Sequence, residues 1–299
     1  VVMQEHVELL EDVGRIRLPG PPPRPGENIR RRGGVMRAGA VLAEGPLRLE
    51  TAAGAFLITA GVDSVLVGRR PRVLHVVTGA ELVEAGQPLG PGQIHDSNGP
   101  LLKALLEPFG CDLEQRRVGD VAGELAALVA SSDHDLLLVS GGAGPGERDH
   151  ARKALEGAGF EIQVGRVNSR PGKPMIFATA GPRIAFGLPG NPLSHFVCFQ
   201  VFVRRALERL EGGESSRLVR ARLAGPVEEQ DGDGRWTWMP VRLSLGSDER
   251  LAAEALRWVH SGDLAPLARA TGLALLSPDL ELSEGRRIEV LPCGSMLSP

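Results

Sequence analysis

The sequence predicts an α/β protein with a central parallel sheet and helices on both faces, flanked by an N-terminal β-rich segment and a small C-terminal β-barrel-like domain. Three observations carry that prediction. Between residues 70 and 212, short apolar runs that end in glycine turns alternate with helical patterns, the signature of a parallel sheet with crossover helices. The run Leu136-Leu137-Leu138-Val139 is continuously apolar, as in a strand buried on both faces. From residue 213 to 299 the period changes to two: Val219, Ala221 and Leu223 alternate with Arg220 and Arg222, Trp236 and Trp238 with Thr237 and Met239, and Ile288 and Val290 flank Glu289.

Residues 1–69 are rich in Pro, Gly and Arg. Five prolines between Pro19 and Pro25 make a stiff extended connector. Short stretches such as Ala55-Phe56-Leu57-Ile58 among turn signals read as short strands. Arg30-Arg31-Arg32 with Arg37 reads as a solvated basic loop. In the central zone, Val73–Val77 is a strand ending in Thr78-Gly79. A helix spans Pro100 to Phe109, with Ser97 or Asn98 as its cap and Gly110 closing it. Asp120 caps a helix from Val121 to Ala130, and another helix runs from about Asp149 to Ala158. Ile184–Phe186 is a strand. Asn191 then caps a helix with Pro192 at its first position, running to about Leu210.

Composition excludes several classes. Charged residues make up 24% and apolar residues 42%, and 34 basic against 37 acidic side chains give −3, no footprint for nucleic acid. No apolar run approaches a membrane span, and there is no signal-peptide pattern. Cys111, Cys198 and Cys293 lack metal or disulfide spacing, which points to a reducing cytoplasm, with Cys198 in the core. The chain begins Val1-Val2-Met3, mid-pattern and without an initiator methionine, and reads as a fragment or processed product.

The chemistry sits at strand ends, where ligands bind in open α/β sheets. Arg170-Pro171-Gly172-Lys173-Pro174 sets two cations across a rigid turn, a cradle for a tetrahedral oxyanion. Gly187-Leu188-Pro189-Gly190-Asn191-Pro192 opens the long helix. Gly141-Gly142-Ala143-Gly144-Pro145-Gly146 leads into Asp149 and suits an anion at a helix N-terminus, although it is neither a Walker loop nor a dinucleotide fingerprint. Glu81, after Thr78-Gly79-Ala80, is either a cation or amine ligand or an exposed first-turn residue. Asp96 and Asp120 read first as turn or cap residues, and Asp149 either binds Mg²⁺ or caps its helix. The scattered histidines show no ligand spacing.

Taken together, Val1-Val2-Met3-Gln4-Glu5, Asn28-Ile29-Arg30, Thr78-Gly79-Ala80-Glu81-Leu82, Asp96-Ser97-Asn98, the 171–174 turn and the 187–192 turn resemble the molybdopterin molybdenumtransferase family, which includes the large C-terminal domain of gephyrin. Gly234-Arg235 and Ser261-Gly262 resemble that family's C-terminal β domain. The resemblance implies a homodimeric enzyme that inserts molybdate into adenylylated molybdopterin, with Mg²⁺-dependent release of AMP, and that works beside other cofactor-assembly proteins. It implies that Glu81, Asp120 and Asp149 surround pterin, nucleotide and Mg²⁺, with Glu81 and Asp149 on the metal. Arg170, Lys173 and Pro174 would cradle molybdate, and Ser261 would reach in from the β domain. Thr78, Gly79, Asp96, Ser97, Asn98, Gly141, Gly142, Pro171, Gly172, Pro189, Gly190 and Asn191 would line the substrate site. The chain departs from the family pattern at Ala80, at Ala143-Gly144 and near Pro240, and it begins just past the family's Thr-Gly motif. Two other readings follow from the same residues: a pterin-holding or scaffolding relative without chemistry, and an adenylyltransferase, which shares the glycine loop followed by Arg148-Asp149.

Overall fold

The computed structural model describes residues 1–10, 14–45, 47–119, 122–142, 150–213, 215–227, 234–246, 248–279 and 282–293. Contacts divide the chain into two compact units, 1–67 and 68–299.

In the first unit, β1 (Glu8–Leu10) pairs antiparallel with β2 (Arg15–Arg17). The segment expected to hold strands at Ala55–Ile58 is instead a helix, α1 (Thr51–Thr59), whose residues are all at least partly exposed. A four-residue apolar run does not distinguish strand from helix by itself. Here the alanines before it extend the segment to a length that closes i→i+4 hydrogen bonds, among them Ala60 N–H to the Phe56 carbonyl.

The second unit is built on two sheets. Its first elements are β3 (Arg72–Thr78), β4 (Leu82–Val83), β5 (Ile94–His95), α2 (Asn98–Leu106), β6 (Asp112–Val118), α3 (Ala122–Ser131), β7 (Leu136–Ser140) and α4 (His150–Gly157). They continue with β8 (Glu161–Val164), β9 (Ser169–Arg170), β10 (Ile176–Ala180), β11 (Arg183–Leu188), α5 (Pro192–Cys198), a π-helical turn (Phe199–Val203) and α6 (Arg204–Leu210). The first sheet has the order β6-β3-β7-β11-β10-β8. Strands β6, β3, β7 and β11 are parallel, whereas β10 is antiparallel to both β11 and β8. The sheet is therefore mixed rather than wholly parallel. The reversal lies at Gly181, with φ +58, in the tight connection that brings Ala180 opposite Arg183.

Both faces of this sheet are covered. Leu74, Val76, Leu137 and Val139 pack with Leu125 and Val129 of α3 and Ala154 and Leu155 of α4. Val73, Leu136, Leu138 and Leu188 pack with Leu102 and Leu106 of α2 and Cys198 and Phe199. Alternate residues of one apolar run thus serve opposite faces, which is why the run is continuous.

The remaining strands are β12 (Val219–Leu223), β13 (Trp236–Leu245), β14 (Leu251–Ala255), β15 (Gly272–Leu276) and β16 (Arg287–Pro292). Their order β14-β12-β16-β15-β13 closes through a β13–β14 pairing into a five-stranded barrel. One face of its strands carries Leu223, Met239, Val241, Ala274 and Val290, and the other carries Trp238 and Leu273, buried in the same cluster as Leu193 and Val197 of α5. Trp238 is buried, and Trp236 sits at the exposed edge. The two-residue strand β9 lies in the chain between α4 and β10, yet it pairs with β13, in the barrel's sheet: Ser169 opposite Trp236 and Arg170 opposite Thr237.

Leu138 is wholly buried on β7. Leu138→Ala is expected to cost about 2–5 kcal/mol in urea unfolding; a loss below about 1 kcal/mol would contradict close packing at this position.

Candidate functional site

A cavity of about 1110 Å³ opens at the carboxyl ends of β3, β7 and β11 and is closed on another side by barrel residues Arg235 and 258–262. Its base depends on close backbone approach. Thr78 Oγ donates to the Ser140 carbonyl at 3.0 Å. A Cβ on Gly141, which has φ +88, would lie 2.7 Å from Thr78 Oγ and 2.8 Å from the Thr78 carbonyl oxygen. Only glycine fits there. Gly141 N–H donates to the Leu188 carbonyl, and Asn98 Nδ2 donates to the Gly190 carbonyl at 2.7 Å, so the strand ends are tied together. Gly142 and Pro189 complete this wall.

The next wall carries the carboxylates. Glu81 is exposed on the cavity, in a turn that leads into β4 rather than in a first helical turn. Gly79 beside it has φ +145. Asp96 is 7% exposed, and both its oxygens are engaged: Oδ1 accepts from Gly99 N–H at 2.9 Å and Oδ2 from Arg117 at 3.1 Å. Asp96, rather than Ser97 or Asn98, therefore caps α2; Ser97 makes no capping bond and lines the cavity. Asp120 and Asp149 lie outside the described residues, as does the loop from Ala143.

Opposite stands the cationic turn. Arg170 ends β9, the Arg170–Pro171 peptide is cis, and Ser169 Oγ donates to the Pro171 carbonyl at 3.1 Å. Gly172 has φ +110, and a Cβ there would meet Cys198 Sγ at 2.7 Å. The turn thus sits hard on the long helix, with Pro171 and Gly172 buried, while Lys173 is exposed on the cavity beside Pro174. Arg235 adds a third cation from the barrel. The sequence displayed it in Gly234-Arg235 without assigning it a role.

Asn191 corrects an expectation. It precedes α5 in N-cap position but makes no capping bond. Its Nδ2 instead donates to Ser261 Oγ at 2.6 Å, while the Ser261 carbonyl accepts from Leu193 N–H at 3.0 Å. The barrel residue takes up both the side chain and a free N–H of the helix start. Ser261 does line the cavity, and the structure gathers all the sequence-selected residues that it describes around this one cavity. Sequence reading gave no individual role to Ser140 and His150 on its wall or to the two buried histidines, His75 and His195.

Those rings, His75 and His195, are fully buried with centroids 6.3 Å apart. Burial drives His75 down to about 3, and the neighbouring His195 adds to that shift. Burial likewise drives His195 down to about 4, against the opposing pull of the Pro189 carbonyl and Asp96. His195 Nδ1 donates to the Pro189 carbonyl at 3.3 Å, and among the described residues its Nε2 has no hydrogen-bond partner. Among the described residues no group of three or more His, Cys, Asp or Glu is placed to hold a metal ion. Nor is any helix there long and apolar enough to cross a membrane.

Fold and cavity together define an α/β protein joined to a β-barrel, with one cavity lined by residues of both. Residues 75–209 match the family model described as a probable molybdopterin binding domain, and residues 217–293 match the MoeA C-terminal region (domain IV). The molybdopterin molybdenumtransferase of Haemophilus influenzae is 37% identical over 215 residues, which span 71% of this chain and 52% of that protein. That of Nostoc sp. is 34% identical over 281 residues, spanning 90% and 64%. The chain thus covers about half to two thirds of these relatives' length. A crystal structure of the molybdopterin biosynthesis MoeA protein of Pyrococcus horikosii superposes with a TM-score of 0.75 at 30% identity, over 98% of this chain and 71% of that one. The chain belongs to the molybdopterin molybdenumtransferase family.

The buried histidines give an expected pH dependence. Unfolded, both rings titrate near 6.5; folded, at about 3 and 4. Between those values the unfolded chain binds more protons, so stability falls as pH falls from 6.5 toward 4. Urea midpoints measured across that window should decline, and His195→Ala should give a shallower decline relative to its own value at pH 7. Parallel slopes would contradict a neutral buried His195.

Proposed function

We propose that this chain carries out the metal-inserting step of molybdenum cofactor assembly: it binds adenylylated molybdopterin and molybdate, cleaves the adenylate and releases AMP. The observation that carries this reading is the meeting of the 170–174 cationic turn and the Gly141-Gly142 turn across one cavity, to which both family-matched regions contribute.

The chain's own residues divide the work. Arg170 and Lys173 stand on a turn whose φ angles are restricted by Pro171 and Pro174, so little entropy is lost in holding two cations toward a dianion. Molybdate needs such cations and N–H donors, not a covalent nucleophile. Arg235 and Ser261 close the cavity from the barrel side and keep water from surrounding the anion. Glu81 is the carboxylate left to the ligand, because Asp96 is spent on Gly99 and Arg117. One or two carboxylates with substrate phosphate oxygens satisfy Mg²⁺, so Glu81 fits as a protein ligand, with Asp149 the second candidate. When bound, Mg²⁺ supplies charge neutralisation at the pyrophosphate link. With Ala80 beside it, Glu81 bears this role without the neighbouring carboxylate usual in the family. The same reading makes the protein a cytoplasmic homodimer that exchanges its pterin with other assembly proteins.

The test is incubation with adenylylated molybdopterin and Mg²⁺, following AMP with and without molybdate. Molybdate-dependent release is expected, and Lys173→Ala should reduce it by about 100-fold or more with the fold intact. Tight pterin binding without release would make the chain a holding relative. Unchanged turnover in Lys173→Ala would remove the cradle assignment.

A further inference from the structure

Beside the Gly141-Gly142 turn runs a polar chain with no part in the reading above. It begins at Gln115 on the edge strand β6. A single atom, Gln115 Nε2, lies 2.8 Å from the Gly99 carbonyl oxygen and 2.8 Å from His75 Nδ1. The carbonyl only accepts, so this end of the amide is the NH₂, and its two protons are committed. His75 Nδ1 must therefore accept. The ring, fully buried and neutral, carries its one proton on Nε2.

That Nε2 lies 2.6 Å from Ser140 Oγ. The hydroxyl accepts from the ring and has to send its own proton elsewhere. Among the described residues nothing else is within hydrogen-bond reach of Ser140 Oγ. Ser140 ends β7 on the cavity wall, directly before Gly141. With one lone pair taken by the ring N–H, the hydroxyl keeps its proton to donate, and Ser140, 2% exposed, borders the cavity. The cations Arg170, Lys173 and Arg235 line the same cavity and favour an anionic oxygen as its partner.

We propose that Ser140 is a ligand-directed hydrogen-bond donor to a phosphoryl oxygen of the bound nucleotide, and that His75 and Gln115 are positioning residues that set its proton. This rests on the reading of the cavity as a nucleotide-ester site. Gln115→Glu should reverse the chain. A carboxylate at 115 calls for a proton on His75 Nδ1; Nε2 then becomes an acceptor and draws the Ser140 proton away from the ligand.

The experiment uses the full chain at pH 7.5 with AMP as probe and adenosine as control, by calorimetry, together with ¹⁵N spectra of the labelled histidines. The wild type should show His75 protonated on Nε2, and Gln115→Glu should show it on Nδ1. Ser140→Ala and Gln115→Glu should each weaken AMP by about 10-fold or more, the scale of one hydrogen bond to a charged group, and leave adenosine unchanged. Serine-to-alanine at 140 removes one oxygen, and the histidine spectra report the tautomer independently of any ligand. If the wild type binds AMP and both variants bind it equally well, or if wild-type His75 is protonated on Nδ1, the proposal is overturned while the nucleotide site stands. If the wild type fails to bind AMP, the nucleotide reading itself falls, and the proposal with it.

Discussion

The helical segment from Pro192 to Leu210 is the constraint on which the second unit depends. Leu193, Val197 and Val201 are buried in the barrel core, while Cys198, Phe199 and Val203 are buried in the core of the mixed sheet. A helix apolar on opposite faces is not a surface helix; it is a wall shared by two cores. Each fully buried aliphatic or aromatic side chain along it contributes on the order of 1.5–3 kcal/mol. Neither sheet can shift without exposing part of that surface. The π-helical turn at Phe199–Val203 lies where the helix must satisfy both cores at once, a place where regular 3.6-residue periodicity has to be adjusted.

The cavity takes its geometry from the start of this wall. The 187–192 turn feeds the helix from β11, and Ser261 holds Asn191 and the Leu193 N–H from the barrel. Gly172 rests against Cys198 one turn further along. The cationic turn is fixed twice more, by the pairing of Ser169 and Arg170 with Trp236 and Thr237 and by the shared packing of the helix. Cations aimed at an anion need this kind of positional certainty, since a displacement of about 1 Å weakens the site severely. Placing this turn at the end of a strand that pairs with the second sheet meets that need.

What the sequence made legible follows from what each element asks of its residues. The runs Val73–Val77 and Leu136–Val139 are buried on both sides, and their continuity announced it. The glycine-proline turns at 171–174 and 187–192 announced tight backbone geometry. Strand β6 did not announce itself: Asp112-Leu113-Glu114-Gln115-Arg116-Arg117-Val118 is an edge strand whose exposed side chains are all polar or charged, as edge strands tend to be. The antiparallel β8 and β10 pair through long-range register that no local period encodes. The same holds for the closure of the barrel through β13 and β14, and for Arg235 arriving at the cavity. Asn191 and Asp96 show the remaining difficulty. Both are cap-type residues beside a helix start, and only the three-dimensional partners, Ser261 for one and Gly99 with Arg117 for the other, decide which of them caps.

Charge bookkeeping at the cavity draws these strands into one conclusion. The chain as a whole carries −3, so no global field attracts an anion. Locally the balance is reversed. Arg170, Lys173 and Arg235 line the cavity against the carboxylates of Glu81 and Asp96, and Asp96 is neutralised by Arg117 from outside the lining. Three basic side chains thus line the cavity beside Glu81, a lining that suits an anionic ligand. The single uncommitted carboxylate leaves room for one divalent cation carried in with the ligand's own phosphates. The described part of the cavity therefore joins cations on rigid turns to glycines where backbones must touch, with Asp96 engaged by Gly99 and Arg117.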